Sequence, residues 1–233
     1  MDFSKLKSLT IPEGNVTQIA VGGNVIWQSS PLPSAYQQVE WIRNTATSST
    51  SGQHLDLGFP FDTAATIHLN YIAETASGQP FGAAENSGKL RCMISFASNF
   101  SFYGSNGSSY LNAATSGVDF TGKEVNIIFT LKKGALFGED TISGVKTKTI
   151  TTQAEYTMTR NLVLFAQNYN TAVRYNGQHK VKSFQYYDKN DTLICDLIPC
   201  YRKSDGVIGM YDIVRKIFLT NAGSGSFTKG ADV

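Results

Sequence analysis

Charge is scarce in this sequence. Asp, Glu, Lys and Arg make up 16% of its 233 residues, and the formal net charge is +2. No Lys/Arg block exceeds a pair such as Lys132-Lys133, so no nucleic-acid partner is expected. Long apolar runs are also missing. No stretch of about 18 apolar residues occurs, so no membrane insertion is expected. The N-terminus, Met-Asp-Phe-Ser-Lys-Leu-Lys-Ser, lacks the apolar core of a secretory signal. Cysteine appears only at Cys92, Cys195 and Cys200, an odd count without zinc spacing, and reduced, mostly buried thiols are expected. Three histidines, His54, His68 and His179, form no His-x-x-x-His or Cys-His cluster. Neither a metal nor a cofactor is therefore expected.

What is present is a 41% hydrophobic fraction broken into short pieces by Gly, Ser, Thr and Asn. Residues 53–57 alternate, with Leu55 and Leu57 on one face. Residues 66–71 alternate again, with Ile67, Leu69 and Tyr71 together and His68 opposite. Further strands are expected at 91–97, 100–103, 125–132, 146–151, 162–166, 180–188 and 193–198, and an apolar group at Val39, Trp41 and Ile42 precedes them all. No window sustains a helical period with caps. Many short strands with frequent turns predict an all-β fold of two packed antiparallel sheets, a jelly-roll sandwich.

The first 30 residues read as a separate small β unit. Val16, Ile19 and Val21 lead into Gly22-Gly23-Asn24 and then Val25-Ile26-Trp27, a hairpin signal. So few residues cannot bury a core alone, so the unit must pack on something: the main domain, a sister copy or another protein. Pro31 and Pro33 mark residues 31–34 as a stiff linker, which leaves residues 35–233 as the sandwich.

The C-terminal stretch, 193–230, punctuates apolar runs with Pro199, Lys203-Ser204-Asp205-Gly206 and Asn221 to Gly225. Gly206 and Gly209 flank Val207-Ile208, which predicts a sharp turn on each side of a two-residue apolar plug. The run Ile-Pro-Cys-Tyr-Arg-Lys-Ser-Asp-Gly-Val-Ile-Gly-Met-Tyr-Asp-Ile-Val at 198–214, followed by Phe-Leu-Thr-Asn-Ala-Gly-Ser-Gly-Ser-Phe-Thr-Lys-Gly at 218–230, resembles the C-terminal signature of a family of phage and prophage virion proteins. Weaker resemblance covers 32–42, 80–86 and 161–168. The family carries a laminin-G-like, concanavalin A-like domain, so the resemblance implies that fold. Residues 1–30 likewise resemble N-terminal segments of phage tail and fibre proteins, which implies an attachment module.

Catalytic patterns are sparse. There is no Gly-x-Ser-x-Gly elbow and no phosphate-cradling Gly-rich loop. Glycoside hydrolysis needs two carboxylates across a cleft. The Glu-x-Asp-x-x-Glu spacing used by glucanases of this fold is absent, Glu139 and Asp140 would face opposite ways on a strand, and the other glutamates are scattered. Some laminin-G-like domains bind calcium at the rim. Asp188, Asn190 and Asp191 could supply oxygens, but the same residues make an ordinary hairpin turn. An enzyme is not expected.

Binding is what remains. Phe81-Gly82-Ala83-Ala84-Glu85-Asn86 and Phe165-Ala166-Gln167-Asn168-Tyr169-Asn170 both lead from an apolar strand into a polar segment, which would place two loops on one rim. Tyr103, Tyr110, Tyr169 and Tyr175 sit among Asn, Gly and Ser and read as loop tyrosines, which suit sugar rings and protein surfaces alike. The ligand-contacting rim is therefore expected at Glu85, Asn86, Gln167, Asn168, Tyr169 and Tyr175. The resemblance then implies a non-enzymatic virion protein, made without a signal peptide, that contacts a host surface glycan or protein. It would join other virion proteins through residues 1–30 and act as a homo-oligomer, with a trimer the first expectation. Two alternatives stay open: a structural head-fibre or decoration protein without a ligand, and a glycosidase on surface polysaccharide.

Overall fold

The computed structural model describes residues 18–21, 24–28, 31–45, 52–62, 65–75, 78–85, 90–96, 100–105, 110–115, 120–130, 137–141, 156–170, 172–174 and 177–233. Every regular element among them is a strand. β1 (Gln18–Val21) and β2 (Asn24–Gln28) form the hairpin read from the Gly-Gly signal, with Val21 opposite Asn24. They pair with each other and with neither of the larger sheets. The expected strand at 146–151 lies outside the described residues.

Further along the chain come β3 (Tyr36–Gln38), β4 (Ile42–Arg43), β5 (Leu55–Asp62), β6 (Thr66–Ala73) and β7 (Gly78–Glu85). Next are β8 (Leu90–Phe96), β9 (Phe100–Ser105), β10 (Tyr110–Thr115), β11 (Glu124–Thr130), β12 (Phe137–Asp140) and β13 (Thr157–Leu164). The rest are β14 (Gln167–Tyr169), β15 (Ala172–Arg174), β16 (His179–Tyr187), β17 (Leu193–Arg202), β18 (Ile208–Asp212), β19 (Ile217–Thr220) and β20 (Thr228–Lys229). One sheet has eight strands and runs β10-β9-β8-β7-β13-β5, with β14 beside β7 and β15 beside β14. The other has ten and runs β12-β11-β6-β16-β17-β18-β19, with β3, β4 and β20 added.

The two sheets pack face to face through alternate side chains. On β6, Ile67, Leu69 and Tyr71 are buried and His68 faces out, as the alternation predicts. Phe61 and Phe81 from the eight-stranded sheet meet Phe129, Phe184 and Tyr186 from the ten-stranded one. Ring centroids are 5.6 Å apart for Phe81–Phe129 and 6.1 Å for Phe61–Tyr186, both edge-on. These rings are essentially inaccessible to water, so each contributes roughly 1.5–3 kcal/mol of burial energy. The alternation slips on β16. A bulge between Val181 and Ser183 turns both Lys182 and Ser183 outward and returns Phe184 to the core.

Several expectations need correction. Tyr103, Tyr110 and Tyr169 lie in β9, β10 and β14 rather than in loops, because small polar neighbours fit strands as well as turns. Gly206 turns the chain, with φ +71, but Gly209 does not. It sits inside β18, where an added Cβ would lie 2.1 Å from the Leu219 carbonyl oxygen and 3.0 Å from the Phe218 ring. Its role is close approach between strands. Within the 31–34 segment, Leu32 is buried against Cys200 and Tyr211. The sandwich thus takes hold of the chain within that segment.

Cys195 and Cys200 are free and buried. Burial pushes both thiols up, Cys200 to about 12, so neither is a nucleophile at neutral pH.

Candidate functional site

The two Phe-led segments do lie side by side. Phe165, at φ +68, reverses the chain after β13 and donates its N–H to the Pro80 carbonyl at 2.7 Å. β14 then runs parallel to β7, with Asn168 opposite Ala83 and Tyr169 opposite Ala84. The side chains expected to contact a ligand are turned to other work. Glu85 Oε1 accepts the backbone N–H groups of Thr159 and Arg160, the latter at 3.0 Å. Asn168 Nδ2 donates to the Asn161 carbonyl at 3.1 Å. Gln167 is 2% exposed and so is absent from the surface. Tyr169 stays half-buried, with the Arg174 guanidinium 5.6 Å from its ring centroid. Asn86 and Tyr175 lie outside the described residues.

A second surface is the outer face of the ten-stranded sheet. A groove of about 500 Å³ there is bordered by Glu40, Trp41, Asn70 and Lys182. The Trp41 ring is already engaged by its own neighbours. Lys180 Nζ stands 4.6 Å from the ring centroid, and Gly230 packs so near that a Cβ would be 2.8 Å from the indole Nε1. The carboxylates of this face are tied up as well. Glu124 accepts from Lys182 at 2.8 Å and from Asn70 at 2.9 Å, and these bonds hold it below its ordinary range. Burial alone would raise Glu74, but hydrogen bonds from Lys180 and Arg43 outweigh it and its pKa falls. Both shifts run against the raised pKa that a general acid needs.

The third surface is built by the C-terminal stretch. β18 is antiparallel to both β17 and β19, so the β17–β18 turn and the segment after β19 meet at one end of the sheet. Between them lies a cleft of about 440 Å³ with residues 205–208 on one side and 220–227 on the other. Gly206 makes the turn. Arg202 grips Asp205 with a fork, Nε at 3.1 Å and Nη2 at 2.6 Å, while Val207 N donates to Asp205 Oδ1 at 3.2 Å. The bonds from Arg202 and then Val207 hold that carboxyl below its ordinary range.

The opposite wall is a Gly/Ser loop fixed from behind. Asn221 Oδ1 accepts from Gly223 N at 2.9 Å and from His54 N at 3.1 Å, and Asn221 Nδ2 donates to the Gly225 carbonyl at 2.8 Å. Gln53 is buried beneath it and donates to the Ser226 carbonyl at 2.7 Å and to Thr45 Oγ1 at 2.9 Å. Gly223 presses on Gly52, whose carbonyl oxygen would be 2.1 Å from an added Cβ. The sequence pattern marked this segment only as a turn, since Asp-Gly and Asn-Gly runs are turns by default. Nothing in it showed that Gln53 and His54, read as strand residues, would brace the loop.

Among the described residues no three His, Cys, Asp or Glu side chains converge as a metal site would require. The Asp188 carboxylate serves its own hairpin, with Oδ1 accepting Asn190 N at 2.8 Å and Thr192 N at 2.9 Å.

No protein-family model matches the chain, and no curated protein does. Among solved structures it is similar to mouse laminin alpha1 chain, domains LG4-5, at a TM-score of 0.50 and 13% identity, over 78% of this chain. The chain covers 50% of that structure's length. Identity so low speaks for the fold alone, and together with the two antiparallel sheets it makes this protein a laminin-G-like, concanavalin A-like β-sandwich.

Proposed function

We propose that the chain is a non-enzymatic adhesion protein of a phage or prophage virion, and that its laminin-G-like sandwich contacts glycan on the host surface. The observation that carries the reading is the cleft between residues 205–208 and 220–227. It is concave and polar, and it is held rigid by side chains behind its wall, the preorganisation a recognition surface needs. The virion assignment rests on the sequence resemblance, which is concentrated in the residues that form this cleft.

In this reading residues 1–30 join the sandwich to other virion proteins. A shallow cleft binds one sugar in about the millimolar range, or about −4 kcal/mol. Several copies must then act together, since linked sites raise avidity by about 10² to 10⁴. A homo-oligomer follows, with a trimer the first expectation. Glycan-array binding of the full chain, combined with a native mass measurement, tests this. Selective retention of host glycans supports the reading. Retention of none points to a structural head-fibre or decoration role, and release of free sugar from purified host wall points to a glycosidase.

A further inference from the structure

We infer that the ligand of the C-terminal cleft is a neutral pyranose rather than an acidic sugar, with its hydroxyls meeting Asp205, Thr220 and Ser226. This rests on the reading of the cleft as the glycan-contacting site and adds the chemical class of the glycan. Among the described residues that line the cleft, Asp205 is the only charged one. No Lys, Arg or His lines it to meet a carboxylate or sulfate. An anionic ligand would find no free counter-charge in the lining, since Arg202 beside it is already paired with Asp205. A simple cation gains little, because Arg202 already neutralises Asp205.

The hydrogen-bonding capacity of the lining suits hydroxyl groups. A carboxylate has about four acceptor positions. Arg202 Nε, shared between the two oxygens at 3.1 Å each, Arg202 Nη2 and Val207 N take up these positions and fix the group in place, so an incoming O–H would compete with the long, shared Nε contact. Thr220 and Ser226 are exposed on the facing side and can both donate and accept. Val207 and Ile208 are half-exposed aliphatic residues beside them, a surface for the C–H face of a ring. Gly206, with nothing within 4 Å of where a Cβ would lie, lets a ligand approach the backbone closely. A pyranose presents this combination of an apolar face and a hydroxylated edge. The size also fits, since the cleft's 440 Å³ falls within the range of small-ligand sites.

The test titrates the full chain with methyl glycosides of glucose, galactose, mannose and N-acetylglucosamine, and with the glycosides of glucuronic, galacturonic and N-acetylneuraminic acid. Binding is read by saturation-transfer NMR and calorimetry. At least one neutral glycoside should bind in the millimolar range, with each acidic one at least about tenfold weaker. Asp205→Asn should weaken the neutral glycoside about tenfold, and Ser226→Trp should abolish its binding, with thermal midpoints unchanged in both. Equal or tighter binding of an acidic glycoside overturns the inference. So does an Asp205→Asn chain of unaltered affinity, or failure of every neutral glycoside to bind. Host-cell adhesion separates the two levels. If Ser226→Trp adheres like the unmodified chain, the cleft is not the contact site at all. If adhesion is lost and no neutral glycoside binds, only the choice of sugar class is wrong.

Discussion

The segment at Glu85 and Tyr169 and the C-terminal cleft both combine amide side chains, Gly and a single carboxylate, yet they use them in opposite ways. At the first, the polar groups hold strands together. Glu85 ties β7 to the start of β13, and Asn168 ties β14 to Asn161. At the second, the groups that hold the wall, Gln53, His54 and Asn221, stand behind or within the loop, and hydroxyls and one carboxylate remain on the open side. The two regions also sit at opposite ends of the eight-stranded sheet. Leu55 opens β5 beside the cleft loop and pairs with Leu164, which pairs with Phe81. Glu85 is four residues farther along β7, about 13 Å away. Composition alone therefore does not mark a binding surface. The side on which each polar group finds its partner does.

The strongest way to break this contrast is Gly223→Ala. Its Cβ would collide with backbone, the Gly52 carbonyl, and would crowd His54 Nδ1 at 2.9 Å. Backbone cannot step aside as a side-chain tip can. A loss of about 3–5 kcal/mol is expected in denaturant unfolding, together with loss of glycan binding. A full-affinity, fully stable Gly223→Ala chain would show that the wall is not braced as described.

Acid separates fold from cleft. His179 is fully buried, edge-on to Tyr71, and burial pushes its pKa down to about 3 from 6.5. The unfolded chain takes a proton on this ring below about 6.5, and the folded chain does so only near 3. The stability contributed by the neutral ring is therefore complete above 6.5 and is lost as pH falls towards 3. Between pH 6.5 and 5 the loss should be about 2 kcal/mol. His179→Phe should flatten this slope. Affinity at the cleft should hold across the same window, since Asp205 stays ionised below the usual carboxylate range. Parallel loss of affinity and stability would tie the cleft to the core and end the contrast.

The fold was readable where alternation is strict. Residues 66–71 and 53–57 announced β6 and β5, and Gly22-Gly23 announced the hairpin. It was less readable on β16, where the bulge moves Lys182 and Ser183 to the same face, a shift that no period-2 pattern reports. The pairing of the two Phe-led segments was visible as a sequence echo. The burial of Gln167 was not, because it depends on a left-handed Phe165, a conformation that a bulky residue rarely adopts and that only surrounding packing enforces. The cleft was hidden for a different reason. Its bracing contacts join residues more than 160 positions apart, as in the bond from His54 N to Asn221 Oδ1, and local pattern carries no trace of them.

A smaller effect sharpens the comparison from the other side. Glu85→Gln keeps the shape but removes the charge that accepts two backbone N–H groups. Such charge-assisted bonds contribute roughly 1–2 kcal/mol at a partly exposed site. The melting midpoint should drop accordingly while glycan binding stays unchanged. A Glu85→Gln chain that melts normally and binds poorly would return this carboxylate to the ligand.

The smallest expected effect belongs to Tyr169→Ala. Its ring is half-buried at the edge of β14, under Arg174, and Ala84 opposite it needs little from its side chain. Truncation should cost about 0.5–1 kcal/mol, the value of an exposed cation–π contact with a little packing. If the expected rim contacts the host, Tyr169→Ala reduces adhesion while the chain stays folded, and the Ser226→Trp chain adheres normally. If the cleft is the contact, the two variants exchange behaviour. Measuring host-cell adhesion of both, side by side at matched folded concentration, decides between the two ends of the sandwich. Partial loss in both would mean that one extended glycan spans them.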